Sequence, residues 1–272
     1  MKKWLPAVLL VGAFVGALYL GATQIDNFWS ALFNPGSNEI LWQIRFPRVT
    51  AAVIVGAALA VAGLLAQGAC NNAVAEPAIL GTAAGASFGA VLAISAGLVQ
   101  VGTIGAIVCG TIGALLTTSL TFKLAAIRGA LSSFTLIIVG IAVSAIFTAL
   151  VGIASAMVSR ADARSISFWS FGSLALITPD NLIGVAITTA IGIAIAWKIA
   201  PALDRLSLGD ATAFHLGVNV ARIRLIALVA LSILAGGAVS TVGSIAFIGL
   251  AAPHIARFIY GPTHRNLSLI HI

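Results

Sequence analysis

Apolar residues along this chain recur in runs about as long as a bilayer is thick, separated by polar connections. About 20 consecutive apolar residues carry a helix across the hydrocarbon layer. By that measure eight stretches read as crossing helices, near residues 4–22, 49–69, 79–98, 102–122, 134–157, 181–200, 223–240 and 243–259. Pro253, His254 and Arg257 interrupt the eighth, which predicts a short or broken helix there. The pattern predicts an all-α, polytopic transmembrane bundle forming one domain over residues 1–272.

A different pattern lies between the sixth and seventh runs, at residues 203–219, LDRLSLGDATAFHLGVN. Ser207 and Asp210 have the spacing of a capping box, in which two side chains satisfy the free N–H groups at a helix start. Gly217 is placed to end that helix in a left-handed conformation. The helix expected over 208–216 would be about 13 Å long at 1.5 Å per residue. It is too short to cross a bilayer and too short to persist alone in water. Such a helix needs a surface to lie on, and the expected surface is a second protein that passes force across the contact.

Composition narrows the class. Hydrophobic residues make up 60% of the chain and charged residues only 8%, where soluble domains carry about 25% charged residues. The net charge of +7 reads as topology rather than as a nucleic-acid signal. Alternating sides from an inside N-terminus puts ten basic residues inside and four outside, the four being Arg45, Arg48, Arg160 and Arg164. Cytoplasmic connections collect Lys and Arg, so the N-terminus is expected in the cytoplasm. Lys2 and Lys3 ahead of the first run also fit a secretory signal, but the run is nearly span-length and no A-x-A site follows. A retained first helix is expected.

Little in the chain points to chemistry of its own. The acidic residues fall in connections or at helix ends, with Glu76 in an inner turn over 71–77. Ion-coupled carriers place a titratable group at membrane depth, and none is expected here. The chain has no phosphate-binding G-x-x-x-x-G-K-[ST] loop, no G-x-S-x-G elbow and no H-E-x-x-H pair. Cys70 and Cys109 are far apart, and His215 and His254 each lack a second ligand at i+3 or i+4. No metal, cofactor or catalytic residue is expected. A pathway with neither motor nor coupling ion must borrow energy, which points to a permease driven by a separate nucleotide-hydrolysing subunit. A self-powered secondary transporter and a non-transporting membrane fragment are the alternatives.

Three smaller patterns carry structural and functional readings together. Gly81, Gly85 and Gly89 recur at i, i+4 and i+8, a stripe that lets helix backbones approach in lipid. Ser132 and Ser133 suit a helix start and would also stand at the inner mouth of a path. Arg45 and Arg48 flank Pro47 at the outer rim, where they would anchor lipid phosphate or meet acidic side chains of a partner.

Several stretches taken together resemble a known family. They are Trp42-Gln43-Ile44-Arg45-Phe46-Pro47-Arg48 with the small-residue run to Gly63, residues 66–85 around Asn72-Ala73-Val74-Ala75-Glu76-Pro77, residues 206–218, and residues 243–257 ending in Pro253-His254-Ile255-Ala256-Arg257. Their order and spacing resemble the FecCD-type permeases of bacterial ABC importers for iron-siderophores, haem and cobalamin. The resemblance implies that Arg45 and Arg48 meet glutamates on an extracytoplasmic substrate-binding protein. It implies a coupling helix built from Ser207, Leu208, Gly209, Asp210, Ala211, Phe214, His215, Leu216 and Gly217, seated in a cleft of a cytoplasmic ATPase. Ser132, Ser133 and Phe134 would fall at an inner gate, ahead of a helix that lines the path beside a second permease subunit. The location implied is the bacterial plasma (inner) membrane, with no nucleic-acid partner. The family has ten crossings, so the last two are expected to be missing, and residues 267–272 do not resemble the family's continuation.

Overall fold

The computed structural model of the chain describes residues 5–127 and 132–261. Lys2, Lys3, Arg128, Arg265 and the tail 267–272, all used in the sequence reading, lie outside the described residues. Among the described residues every regular element is helical. The chain runs through α1 (Leu5–Tyr19), α2 (Phe28–Phe33), a π-helical turn (Ile40–Arg45), α3 (Phe46–Cys70), a 3-10 turn (Pro77–Leu80), α4 (Thr82–Ser95) and α5 (Ile104–Ala126). It continues through α6 (Ser133–Ala156), α7 (Arg160–Ser170), α8 (Pro179–Leu206), α9 (Asp210–His215), α10 (Val220–Val242) and α11 (Ile248–Tyr260).

Each of the eight expected runs is a helix, but their lengths differ. Five are long and apolar enough to cross a membrane: Ile40–Cys70, Ile104–Ala126, Ser133–Ala156, Pro179–Leu206 and Val220–Val242. The apolar parts of α1, α4 and α11 are shorter. The continuous helix Ile40–Cys70 has 31 residues, about 46 Å at 1.5 Å per residue, so it outreaches a hydrocarbon layer about 30 Å thick.

The core forms around α10, which packs against α5, α8, α3 and α4. Leu228, Leu231, Leu234, Ala235, Ala238 and Val242 along it are all buried. Buried fractions separate the spans: 78% of the apolar window of α10 is covered, but only 17% of that of α6. Helix α6 therefore presents an apolar face that the described residues leave uncovered.

Two glycines of the stripe lie at the contact between α4 and α5, and the third lies before α4. Gly85 and Gly89 bring α4 against α5; a methyl group on Gly85 would meet the Gly113 carbonyl oxygen at 2.7 Å. Gly81 lies before α4 with φ +88, so it supplies the left-handed residue between the 3-10 turn and the helix. Irregular backbone at this depth needs internal partners. Thr121 Oγ1 donates to the Leu80 carbonyl at 3.2 Å, and Ser144 Oγ donates to that of Ala78 at 2.9 Å.

Glu76 departs from expectation. The segment after α3 turns back into the bundle, and Glu76 lines a cleft with Leu59 of α3, Ala83 of α4, and Ala235 and Val239 of α10. An acidic residue thus faces the interior of spans, rather than sitting in an inner surface turn. Beside it lies a cavity of about 280 Å³ whose polar lining is hydroxyl: Ser87, Ser144, Thr148, Ser170 and Ser244.

Candidate functional site

One end of the bundle carries the short helix. Its start differs from the capping box expected. Ser207 ends α8 and its hydroxyl donates back to the Asp204 carbonyl at 2.7 Å. Gly209, at φ +98, stands at the N-cap of α9, and no side chain caps that end. The helix is accordingly six residues, Asp210–His215. Its other end is as expected. Gly217 has φ +79; its N–H donates to the Phe214 carbonyl, and that of Val218 to the Ala213 carbonyl at 2.9 Å. These two bonds make a Schellman stop. Ala213 and Val218 are buried in the main core, so α9 is pinned by one face.

The opposite face is apolar and open. Phe214 is 70% exposed and Leu208 62%, with Leu216, Ala211 and His215 also exposed. Phe214 on the six-residue helix and Leu208 in the turn before it form an apolar knob that none of the described residues covers.

The freed carboxylate of Asp210 goes to a residue that spacing could not reveal. Arg224, on the second turn of α10 and buried, donates through Nη2 to Asp210 Oδ1 at 2.9 Å. The same nitrogen donates to Ser133 Oγ at 3.2 Å, while Nε donates to the Ala69 carbonyl at 2.9 Å. The ends of three helices, α3, α6 and α9, thus meet one guanidinium. A signal for Arg224 existed: a basic residue one turn into an apolar run must find partners. Its partners could not be named, because Ala69 and Ser133 are 155 and 91 positions away. Ser132 caps α6, its hydroxyl accepting from Thr135 N–H at 3.0 Å. Phe134, next along, is 75% exposed.

At the opposite end of the bundle the two arginines divide. Arg45, closing the π-helical turn, is buried. Its guanidinium donates to the carbonyls of Leu18 and Tyr19, both at 2.8 Å, and to that of Thr23. It therefore finishes the C-terminus of α1, where last-turn carbonyls lack helical partners. Gly21 leaves the room: a methyl group there would meet Arg45 Cζ at 2.6 Å. Arg48 is exposed and spends one bond on the Ala175 carbonyl at 3.0 Å. Of the pair expected at a docking surface, Arg48 alone presents its charge outward.

Among the described residues no group of three or more His, Cys, Asp or Glu side chains is gathered as a metal site would require. His215 stacks edge-on against Phe214, with ring centroids 6.0 Å apart.

Known proteins are similar to this chain. The iron(3+)-hydroxamate import system permease protein FhuB of Bacillus subtilis is 37% identical over 95% of this chain and 68% of its own length. The ferric enterobactin transport system permease protein FepD of Escherichia coli is 36% identical over 92% of this chain and 75% of its own. Among solved structures, a metal-chelate type ABC transporter in an inward-facing conformation superposes with a TM-score of 0.83 at 28% identity, covering 99% of this chain and 84% of that one. The FecCD transport family matches residues 6–272. This multi-pass membrane protein belongs to the FecCD transport family.

Proposed function

We propose that the chain is the permease subunit of an ATP-binding-cassette importer, a single membrane domain that forms the path for an iron-siderophore complex, with haem or cobalamin as the alternative cargo. The observation that carries the reading is the uncovered apolar knob of α9 at one end of a bundle from a transport family. The knob fits a cleft in a cytoplasmic ATPase subunit, which supplies the work. The permease itself makes no covalent change to the cargo. The uncovered face of α6 suits a second permease subunit, identical or related. Arg48 suits an acidic side chain of an extracytoplasmic binding protein, the partner that selects the cargo. This orientation puts α9 and the N-terminus in the cytoplasm and the chain in the bacterial inner membrane.

In the path, the hydroxyl-lined cavity between α4 and α6 offers weak, multiple hydrogen bonds. A carrier for a large polar cargo needs contacts that can be made and released. Glu76 at membrane depth is the one feature that favours a self-powered, ion-coupled carrier instead.

Proteoliposomes holding the permease with its ATPase and binding protein separate the two readings. Uptake that needs ATP, and that falls at least about tenfold in Phe214→Asp while the fold is kept, is the expected result. Uptake driven by a proton or sodium gradient with no ATPase present would overturn it.

A further inference from the structure

We propose that Arg224 transmits the movement of α9 to α6, so that a pull on the knob is delivered to the head of the least covered of the five long spans; this rests on the reading of α9 as the coupling helix. The ground is the sharing of one nitrogen. Nη2 donates to both Asp210 Oδ1 and Ser133 Oγ, at 2.9 and 3.2 Å. A planar guanidinium has fixed donor directions, so Asp210 cannot move relative to Ser133 without bending or breaking one of these bonds. The Nε bond to Ala69 at 2.9 Å fixes the plane from the other side. Arg224 grows from α10, the most covered helix, and so stands on the part of the molecule least able to yield.

The alternatives account for less. A cap for the end of α3 needs only the Ala69 bond. Burial of a full charge is costly unless it is paired, and a pair with Asp210 alone would meet that need. Neither explains why the bond to Asp210 and the bond to the first residue of α6 leave from one atom. The grip of α9 on the body is otherwise slight: Ala213 and Val218 pack inward, while Leu208, Phe214 and Leu216 point away. The Asp210–Arg224 pair is therefore the polar tether between α9 and the bundle. Asp210 is half exposed and Arg224 is buried. Displacement of α9 would draw the carboxylate toward water and leave the guanidinium to re-orient.

The link predicts that geometry, and not charge alone, is needed. Arg224→Lys keeps the charge but has no planar fork with which to hold Asp210, Ser133 and Ala69 together. Ser133→Ala removes one arm, and Asp210→Asn leaves only a neutral acceptor where the charge-assisted arm was; neither residue is fully buried. Each variant is assembled with the ATPase and binding protein, and cargo moved per ATP hydrolysed is measured. The expected result is a fall of about tenfold or more for Arg224→Lys and Asp210→Asn with the ATPase still bound, and a smaller fall for Ser133→Ala. The double variant Asp210→Asn/Ser133→Ala should lose little beyond Asp210→Asn, because both arms end on one atom. An unchanged ratio in Asp210→Asn and Ser133→Ala overturns the proposal, even where Arg224→Lys fails to fold.

A second measurement needs no ATPase. Spin labels at the exposed positions Leu208 and Phe134, in a Cys70→Ala/Cys109→Ala background, report the α9–α6 distance. The distribution should be narrow in the parent and broad in Asp210→Asn; equal widths overturn the linkage. If the parent takes up cargo without ATP, the functional reading fails, and the distance distributions still decide whether Arg224 joins the two helices.

Discussion

Replacing Gly89 by alanine tests how much of this bundle rests on the touching backbones of α4 and α5. A methyl group at Gly89 would press on the Cys109 carbonyl oxygen and lie 3.0 Å from Gly113 Cα and 3.2 Å from the Cys109 carbonyl carbon. All three atoms are backbone, so no side-chain rotation relieves the crowding. The helices must part by about 0.5–1 Å, which on a dispersion potential forfeits a quarter to a half of each contact along the seam. Overpacking of this kind costs about 1–3 kcal/mol. Alanine returns about 0.5–1 kcal/mol through the better helix former. The net expectation is a loss of about 1–2 kcal/mol. Gly12→Ala is the matched control: it lies in α1, where a methyl group meets nothing within 4 Å, so only the gain applies. Reversible unfolding in mixed micelles, followed by circular dichroism, gives both values. Gly113→Ala should resemble Gly89→Ala, and the pair should cost less than the sum, since parting the helices once makes room for both methyl groups. If Gly89→Ala proves as stable as Gly12→Ala, the close approach contributes nothing and the reasoning is refuted.

Arg45 and Arg48 should respond differently to substitution. Arg45→Ala strands the Leu18, Tyr19 and Thr23 carbonyls. It is expected to lower stability by about 2–4 kcal/mol, read by the same unfolding assay, with no direct effect at a docking surface. Arg48→Glu should leave stability within about 0.5 kcal/mol, because the residue is exposed. It should weaken binding-protein affinity by about tenfold or more, measured on nanodiscs at low and high salt; unchanged affinity at low salt would remove Arg48 from that role.

The sequence made the helices legible, because a run of twenty apolar residues has few other uses. It also made legible the ends that depend on one residue's own chemistry: the left-handed stop at Gly217 and the Ser132 cap of α6. What it hid depends on partners distant along the chain. The Ser207–Asp210 spacing promised a reciprocal cap, but Asp210 finds a stronger partner in Arg224, and Ser207 turns back to Asp204. Arg45 and Arg48 look equivalent three residues apart, yet the wide turn of a π-helix delivers one to α1 and leaves the other outside. Glu76 sits among turn residues by composition. Only the packing of Pro77–Leu80 beneath α6 carries it to the level of Leu59. In each case local pattern placed the residue and tertiary contact assigned its use.

The bond from Arg45 to Tyr19 spans 26 positions, and that span has a consequence for how the protein is made. When the end of α1 first leaves the ribosome, the donor that will finish its last turn is still inside the exit tunnel. Bare acceptors settle poorly into hydrocarbon. The opening segment is thus incomplete as a free-standing anchor and becomes complete only as half of a hairpin with residues 40–70.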